Sequence, residues 1–105
     1  MVTDKNKEQF EKWYFNDYLK LDTPPKMPKA FMILFYKERF ERQIGVYLAY
    51  YDSLECIITT TKNNVLEWWF YEIVDYYDCV DSYKSRNEAY QEAFKQADKL
   101  RNDKL

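Results

Sequence analysis

The sequence predicts an α+β domain in which a small three-stranded antiparallel sheet follows N-terminal helices and precedes a C-terminal helix, in the order α-α-β-β-β-α. Three observations carry that reading. Aromatic and aliphatic residues recur at three- and four-residue steps from Phe10 to Leu54, β-branched and aromatic runs replace that spacing from Cys56 onward, and helical spacing returns after Ser85. With 105 residues the chain holds one core, so residues 1–105 form a single domain.

The first helix is expected over Lys7 to Leu19, because Phe10, Trp13, Tyr14, Tyr18 and Leu21 share the period of one helix face. Asn6 with Gln9 three residues on resembles a capping box that would start it. Pro24, Pro25 and Pro28 close it and favour an extended, stiff connector. The spacing of Pro25 and Pro28 also fits a polyproline ligand.

From Ala30 to Leu54, Ile33, Tyr36, Phe40, Ile44, Tyr47, Tyr51 and Leu54 step by three and four, with Lys37, Glu38, Arg39, Glu41 and Arg42 on the other face. This predicts one long amphipathic helix. The alternation of Ile44, Val46, Leu48 and Tyr50 also permits a strand over Gln43 to Tyr50, and the helix is preferred. Gly45 inside it costs about 1 kcal/mol relative to Ala, which suggests close approach of another element to its backbone.

Cys56 to Thr61 and Val65 to Val74 read as the strands of a hairpin turning at Lys62-Asn63-Asn64, since Asn tolerates left-handed turn conformations. A third strand is expected over Cys79 to Lys84. Ser85 and Glu88 form a capping box in front of Ala89, Tyr90, Ala93, Phe94, Ala97 and Leu100, a C-terminal helix.

Composition excludes many function classes. The chain has no His, one Gly and two Cys, against 11 Tyr, 7 Phe and 3 Trp. A chain without His has no Ser-His or Cys-His pair and no histidine ligand for zinc or haem. A lone Gly cannot build a glycine-rich phosphate loop. No enzyme, cofactor or metal site is expected. The polar start, Met1-Val2-Thr3-Asp4-Lys5, lacks the apolar stretch of a secretory signal, and the longest apolar run, Ala30 to Tyr36, is far short of the roughly 18 residues that span a bilayer. A cytoplasmic protein with no membrane partner is expected, with Cys56 and Cys79 as buried, reduced thiols.

Charge is unevenly spread. Residues 55–83 carry Glu55, Glu67, Glu72, Asp75, Asp78 and Asp81 against Lys62, while the chain as a whole has a net charge of −2. Carboxylates at Glu72, Asp75, Asp78 and Asp81 interleave with Tyr71, Tyr76, Tyr77 and Tyr83. Carboxylates pair with Lys or Arg, and tyrosine rings add contact area at low entropy cost, so this segment suits a basic protein face. An ordinary solvated sheet face accounts for the same pattern. Three-residue steps put Glu72, Asp75 and Asp78 on alternating faces of a strand, which argues against a metal site or an acid-base pair. Both faces of the second strand are apolar: Leu66, Trp68, Phe70 and Val74 on one, Trp69, Tyr71 and Ile73 on the other. The Trp69 face is assigned to a partner or to a homodimer contact.

The α-β-β-β-α segment resembles a double-stranded-RNA-binding domain in topology alone. That family relies on a Lys-rich start to its last helix and a Gly/Pro/His-bearing loop, whereas this helix opens Ser85-Arg86-Asn87-Glu88 after acidic strands. No duplex nucleic acid is expected, since phosphate neutralisation supplies most nonspecific affinity.

The tail from Ser82 to Phe94 and the opening Glu8-Gln9-Phe10-Glu11-Lys12-Trp13 resemble small uncharacterised phage and prophage proteins, over about a third of the chain. The resemblance implies a class of mobile-element proteins that bind and block host machinery, anti-CRISPR and other anti-defence inhibitors among them, acting in the cytoplasm of a bacterial host. The resulting expectation is a non-enzymatic interaction protein that uses Trp69, Tyr71, Glu72, Asp75, Tyr76, Tyr77, Asp78, Asp81 and Tyr83 against a basic surface of a host protein such as a CRISPR nuclease. A nucleotide or other small-molecule binder stacking on Trp68 or Trp69, and a stacking-based binder of RNA or single-stranded DNA, are the alternatives.

Overall fold

The computed structural model describes residues 1–21, 23, 26–74, 76–78 and 81–105, with Tyr77 and Asp78 described by their backbone. It is an α+β fold with four α-helices and an antiparallel sheet among the described residues.

Helix α1 spans Asp4–Trp13 and continues as a π-helical turn over Tyr14–Tyr18. It starts before Lys7, and Asn6 does not cap it: Thr3 is the N-cap and Asn6 is wholly buried. The π turn, in which Leu19 N–H reaches Tyr14 C=O at 2.9 Å, holds an extra residue per turn. It rotates the inward face, so Phe15 is buried while Tyr18 and Leu21 stay exposed.

The single helix expected over Ala30 to Leu54 is two, α2 at Pro28–Tyr36 and α3 at Phe40–Ser53. No Gly or Pro marks the break. Arg39 is extended at φ −59°, ψ 144°, and the buried Gln43 side chain donates to Phe35 C=O at 3.0 Å and Tyr36 C=O at 3.2 Å, so it occupies carbonyls that a continuous helix would have used. The kink turns Phe35 onto Phe10, Tyr14 and Tyr47. Gln43 to Tyr50 is helical. Gly45 does not mark a close approach, because a Cβ built there has nothing within 4 Å.

Strands β1, Ile58–Asn63, and β2, Trp68–Ile73, pair antiparallel with Ile58 opposite Ile73 and Asn63 opposite Trp68. The turn lies two residues later than expected, so Val65 and Leu66 leave the strand for the exposed tip. Asn63 Oδ1 accepts from the Val65 and Leu66 amides at 2.9 and 3.0 Å, and Glu67 takes the left-handed conformation at φ 56°. A two-residue segment, β3 at Tyr77–Asp78, pairs with Ile73 and Glu72 of β2. The third strand expected over Cys79 to Lys84 does not form over its described part, where Tyr83 makes a single bridge to Trp69; Cys79 and Val80 lie outside the described residues.

Helix α4, Arg86–Lys104, is the spine. Ser85 Oγ accepts from Glu88 N–H at 3.2 Å and the Glu88 carboxylate accepts from Lys84 N–H at 3.2 Å, a working N-terminal cap. Ala89, Ala93 and Ala97 are buried, and their short side chains let neighbouring elements approach the α4 axis. Phe94 stacks with Tyr90 and Tyr51 and meets Tyr47 and Phe40. A tyrosine-rich core must satisfy its hydroxyls. Tyr50 donates to Asn6 Oδ1 at 2.5 Å, Tyr51 accepts from Asn6 Nδ2 at 3.2 Å, and the Met1 amine donates to the Tyr47 hydroxyl.

Candidate interaction surface

The β1–β2 register sorts the sheet into two faces. Ile58, Thr60, Tyr71 and Ile73 point one way, and Thr59, Thr61, Trp68, Phe70 and Glu72 the other. The first face packs under α4: Ile73 and Tyr71 are buried and Ile58 joins the same core. Trp69 belongs to this face and is half-buried, with the Arg86 guanidinium over its ring at 5.5 Å. Arg86 also lies over the Tyr90 ring and donates from Nε to Thr60 Oγ1 at 3.1 Å, so it covers this edge of the sheet.

The face assigned to a partner from the sequence, Trp69, Tyr71 and Ile73, is therefore the covered one. The opposite face lies outside the core formed by the described residues. Trp68 and Phe70 are half-buried and are not packed against the core, and Thr59, Thr61 and Glu72 around them are exposed. Two apolar faces were legible in the strand. Which of them α4 would cover was not, because the alanine-lined side of α4 has no complementary signal in β2.

The remaining acidic and tyrosine residues are dispersed. Tyr76 is exposed and is held at the C-terminal end of α4, where Lys104 Nζ donates to its hydroxyl at 3.1 Å and lies over its ring. Asp81 is exposed. Tyr83 is half-buried, its ring 6.0 Å from that of Tyr71. Asp75 lies outside the described residues, as do the side chains of Tyr77 and Asp78. Glu72, Tyr76 and Asp81 thus remain as accessible side chains of the predicted set.

Cys56 is half-buried, and burial raises its thiol pKa above the ordinary cysteine value, which leaves it in the unreactive protonated form near neutrality. Among the described residues no group of three or more Cys, Asp or Glu side chains is placed to hold a metal ion, and no helix is long and apolar enough to cross a membrane.

A second apolar surface went unrecognised in the sequence. Helix α2 buries Met32 and Phe35 and leaves Met27, Ile33 and Leu34 exposed. Its signal was the unbroken run Ala30 to Tyr36, which has no polar face to turn outward. No family model, no curated protein and no solved structure matches the chain.

Proposed function

We propose that this chain is a non-enzymatic protein-interaction module of the phage-inhibitor type, acting in the bacterial cytoplasm, whose acidic sheet surface engages a basic surface of a host defence protein such as a CRISPR nuclease. The observation that carries the reading is the sheet face away from α4, where the half-buried Trp68 and Phe70 rings lie beside exposed Glu72. Aromatic anchors ringed by charge are the side chains that dominate protein interfaces. Glu67, in the turn before Trp68, and Asp81 are exposed as well, and none of the three carboxylates makes an ion pair among the described residues. The surface is therefore free to attract Lys and Arg of another protein.

The test is binding and inhibition of purified CRISPR nucleases by the wild-type chain, by Trp68→Ala, and by Glu72→Gln with Asp81→Asn. The expected result is binding that weakens at least tenfold in Trp68→Ala and slows in association when the carboxylates are amides. Full affinity in both variants removes the proposed surface. The half-buried Trp68, which lies outside the core, also favours a second reading, stacking on a nucleobase, because Trp69 is already occupied by Arg86. Thermal-shift titration with nucleotides separates the two, since only a ligand binder gains stability, rising with the logarithm of ligand concentration above its Kd.

A further inference from the structure

Helix α2 presents an outward surface that the fold does not use. Met27, Ile33 and Leu34 are 70%, 49% and 67% exposed, and Lys26, Lys29 and Lys37 beside them are exposed as well. None of these lysines makes an ion pair among the described residues; the nearby Glu38 is taken by Arg42 at 3.4 Å. The surface is apolar with a surplus of positive charge, its lysines outnumbering Glu8 and Glu11, which line the groove at its Met27 and Lys29 end. The open sheet face is apolar and negative, with Trp68, Phe70 and the exposed Leu66 beside Glu67 and Glu72. One chain thus carries two surfaces that match each other in polarity and oppose each other in charge.

We propose that α2 of one copy docks on the open sheet face of a second copy, a head-to-tail contact. Charge selects this arrangement over a symmetric one. Pairing α2 with α2 would set Lys26, Lys29 and Lys37 against their own equivalents, and pairing sheet with sheet would oppose Glu67 and Glu72 to themselves. Area sets the strength. A nine-residue helix is only about 13 Å long, which places the contact among weak, transient interfaces below the roughly 800 Å² per partner of stable complexes. Because the two surfaces differ, each copy keeps one free after pairing, and association is open-ended. The contact uses the same sheet face as the function proposed above but not its partner, and a second copy would compete with that partner for it.

Sedimentation equilibrium of the purified chain from about 10 μM to 1 mM is the test. Mass should rise with protein concentration and fall back toward one chain in about 0.5 M salt. Leu34→Glu removes the helix surface, Glu67→Lys with Glu72→Lys reverses the sheet surface, and all three positions are exposed, so the fold tolerates the changes. Each variant alone should be monomeric. An equimolar mixture should form a dimer that grows no further, because each variant keeps the surface that the other has lost. A wild-type chain monomeric at 1 mM, variants that associate like wild type, or a mixture that stays monomeric would each overturn the proposal. So would flotation of the monomer with phosphatidylglycerol vesicles that Leu34→Glu abolishes, which would assign α2 to a lipid surface. Self-association without nuclease binding would remove only the earlier reading, and nuclease binding by Leu34→Glu without self-association in wild type would remove only this one.

Discussion

Asn6 Nδ2 donates to Asp98 Oδ1 at 2.7 Å, a buried bond between α1 and α4 across 92 residues of sequence. Around it the Asp98 carboxylate accepts from Thr3 N–H at 2.8 Å and the Thr3 hydroxyl at 2.6 Å, while Asn102 Oδ1 accepts from Asn6 N–H at 2.9 Å. Among the described residues no Lys or Arg pairs with Asp98, so its buried carboxylate rests on these hydrogen-bond donors, with the Met1 amine near enough to interact with it electrostatically.

Asp98→Ala leaves the Thr3 amide without its acceptor and the Asn6 Nδ2 group with the Tyr51 hydroxyl alone, and should cost about 3 kcal/mol. Asn6→Asp should cost at least as much, because it sets a second carboxylate against Asp98 and deprives it of a donor. Urea denaturation of both variants checks this, with a lower midpoint and an unchanged slope expected.

Stability should rise as pH increases from about 5 to 8. Burial of the Met1 amine lowers its pKa from 8.0 to about 5, with Lys7 adding to the shift and Asp98 opposing it. Between those values the unfolded chain binds a proton that the folded chain does not, so the contribution is complete above pH 8 and lost on descending to pH 5. The chain has no His, so no imidazole titrates across the same window. Thermal midpoints at pH 5.5 and 8.0 test the sign, and acetylating the amine should abolish its share of the slope.

Gly45→Ala should stabilise the protein by about 0.5 to 1 kcal/mol. The position is helical and exposed, its φ is not positive, and the added methyl meets nothing within 4 Å. The gain comes from the reduced freedom of the unfolded chain. A rise in thermal midpoint with unchanged circular dichroism is the expected result.

Tyr36→Phe should be neutral or stabilising by up to about 1 kcal/mol. The Tyr36 hydroxyl is buried with no hydrogen bond of good geometry, and burial, with the charge of the Glu11 carboxylate and a poorly formed contact of the hydroxyl to it, raises its pKa far above the ordinary tyrosine value. Phe removes the unsatisfied group. It also keeps the ring on which Lys7 rests at 5.3 Å. A loss of more than 1 kcal/mol in chemical denaturation would contradict this account.

Local patterns foretold the elements whose signals are local. The capped α4 is where Ser85 and Glu88 place it, and the hairpin forms, although Val65 and Leu66 stand at its tip because Asn63 supplies the turn's acceptor one strand-end later. The break between α2 and α3 was invisible because a three-and-four spacing runs through Lys37 to Arg39, and the groups that favour the break, Gln43 against the Phe35 and Tyr36 carbonyls, act seven and eight residues away. Asn6 read as a cap for the same reason: its partners Tyr50, Tyr51 and Asp98 are remote in sequence.

Composition and periodicity alone determined an α+β chain, its acidic middle and the two apolar faces of β2. Only the tertiary structure decided which of those faces is open. Strand alternation sorts side chains into two sets but assigns neither to the core. That choice was made by α4, whose Ala89, Ala93 and Ala97 admit Tyr71 and Ile73 while Arg86 closes over Trp69, leaving Trp68, Phe70 and Glu72 to whatever binds from outside.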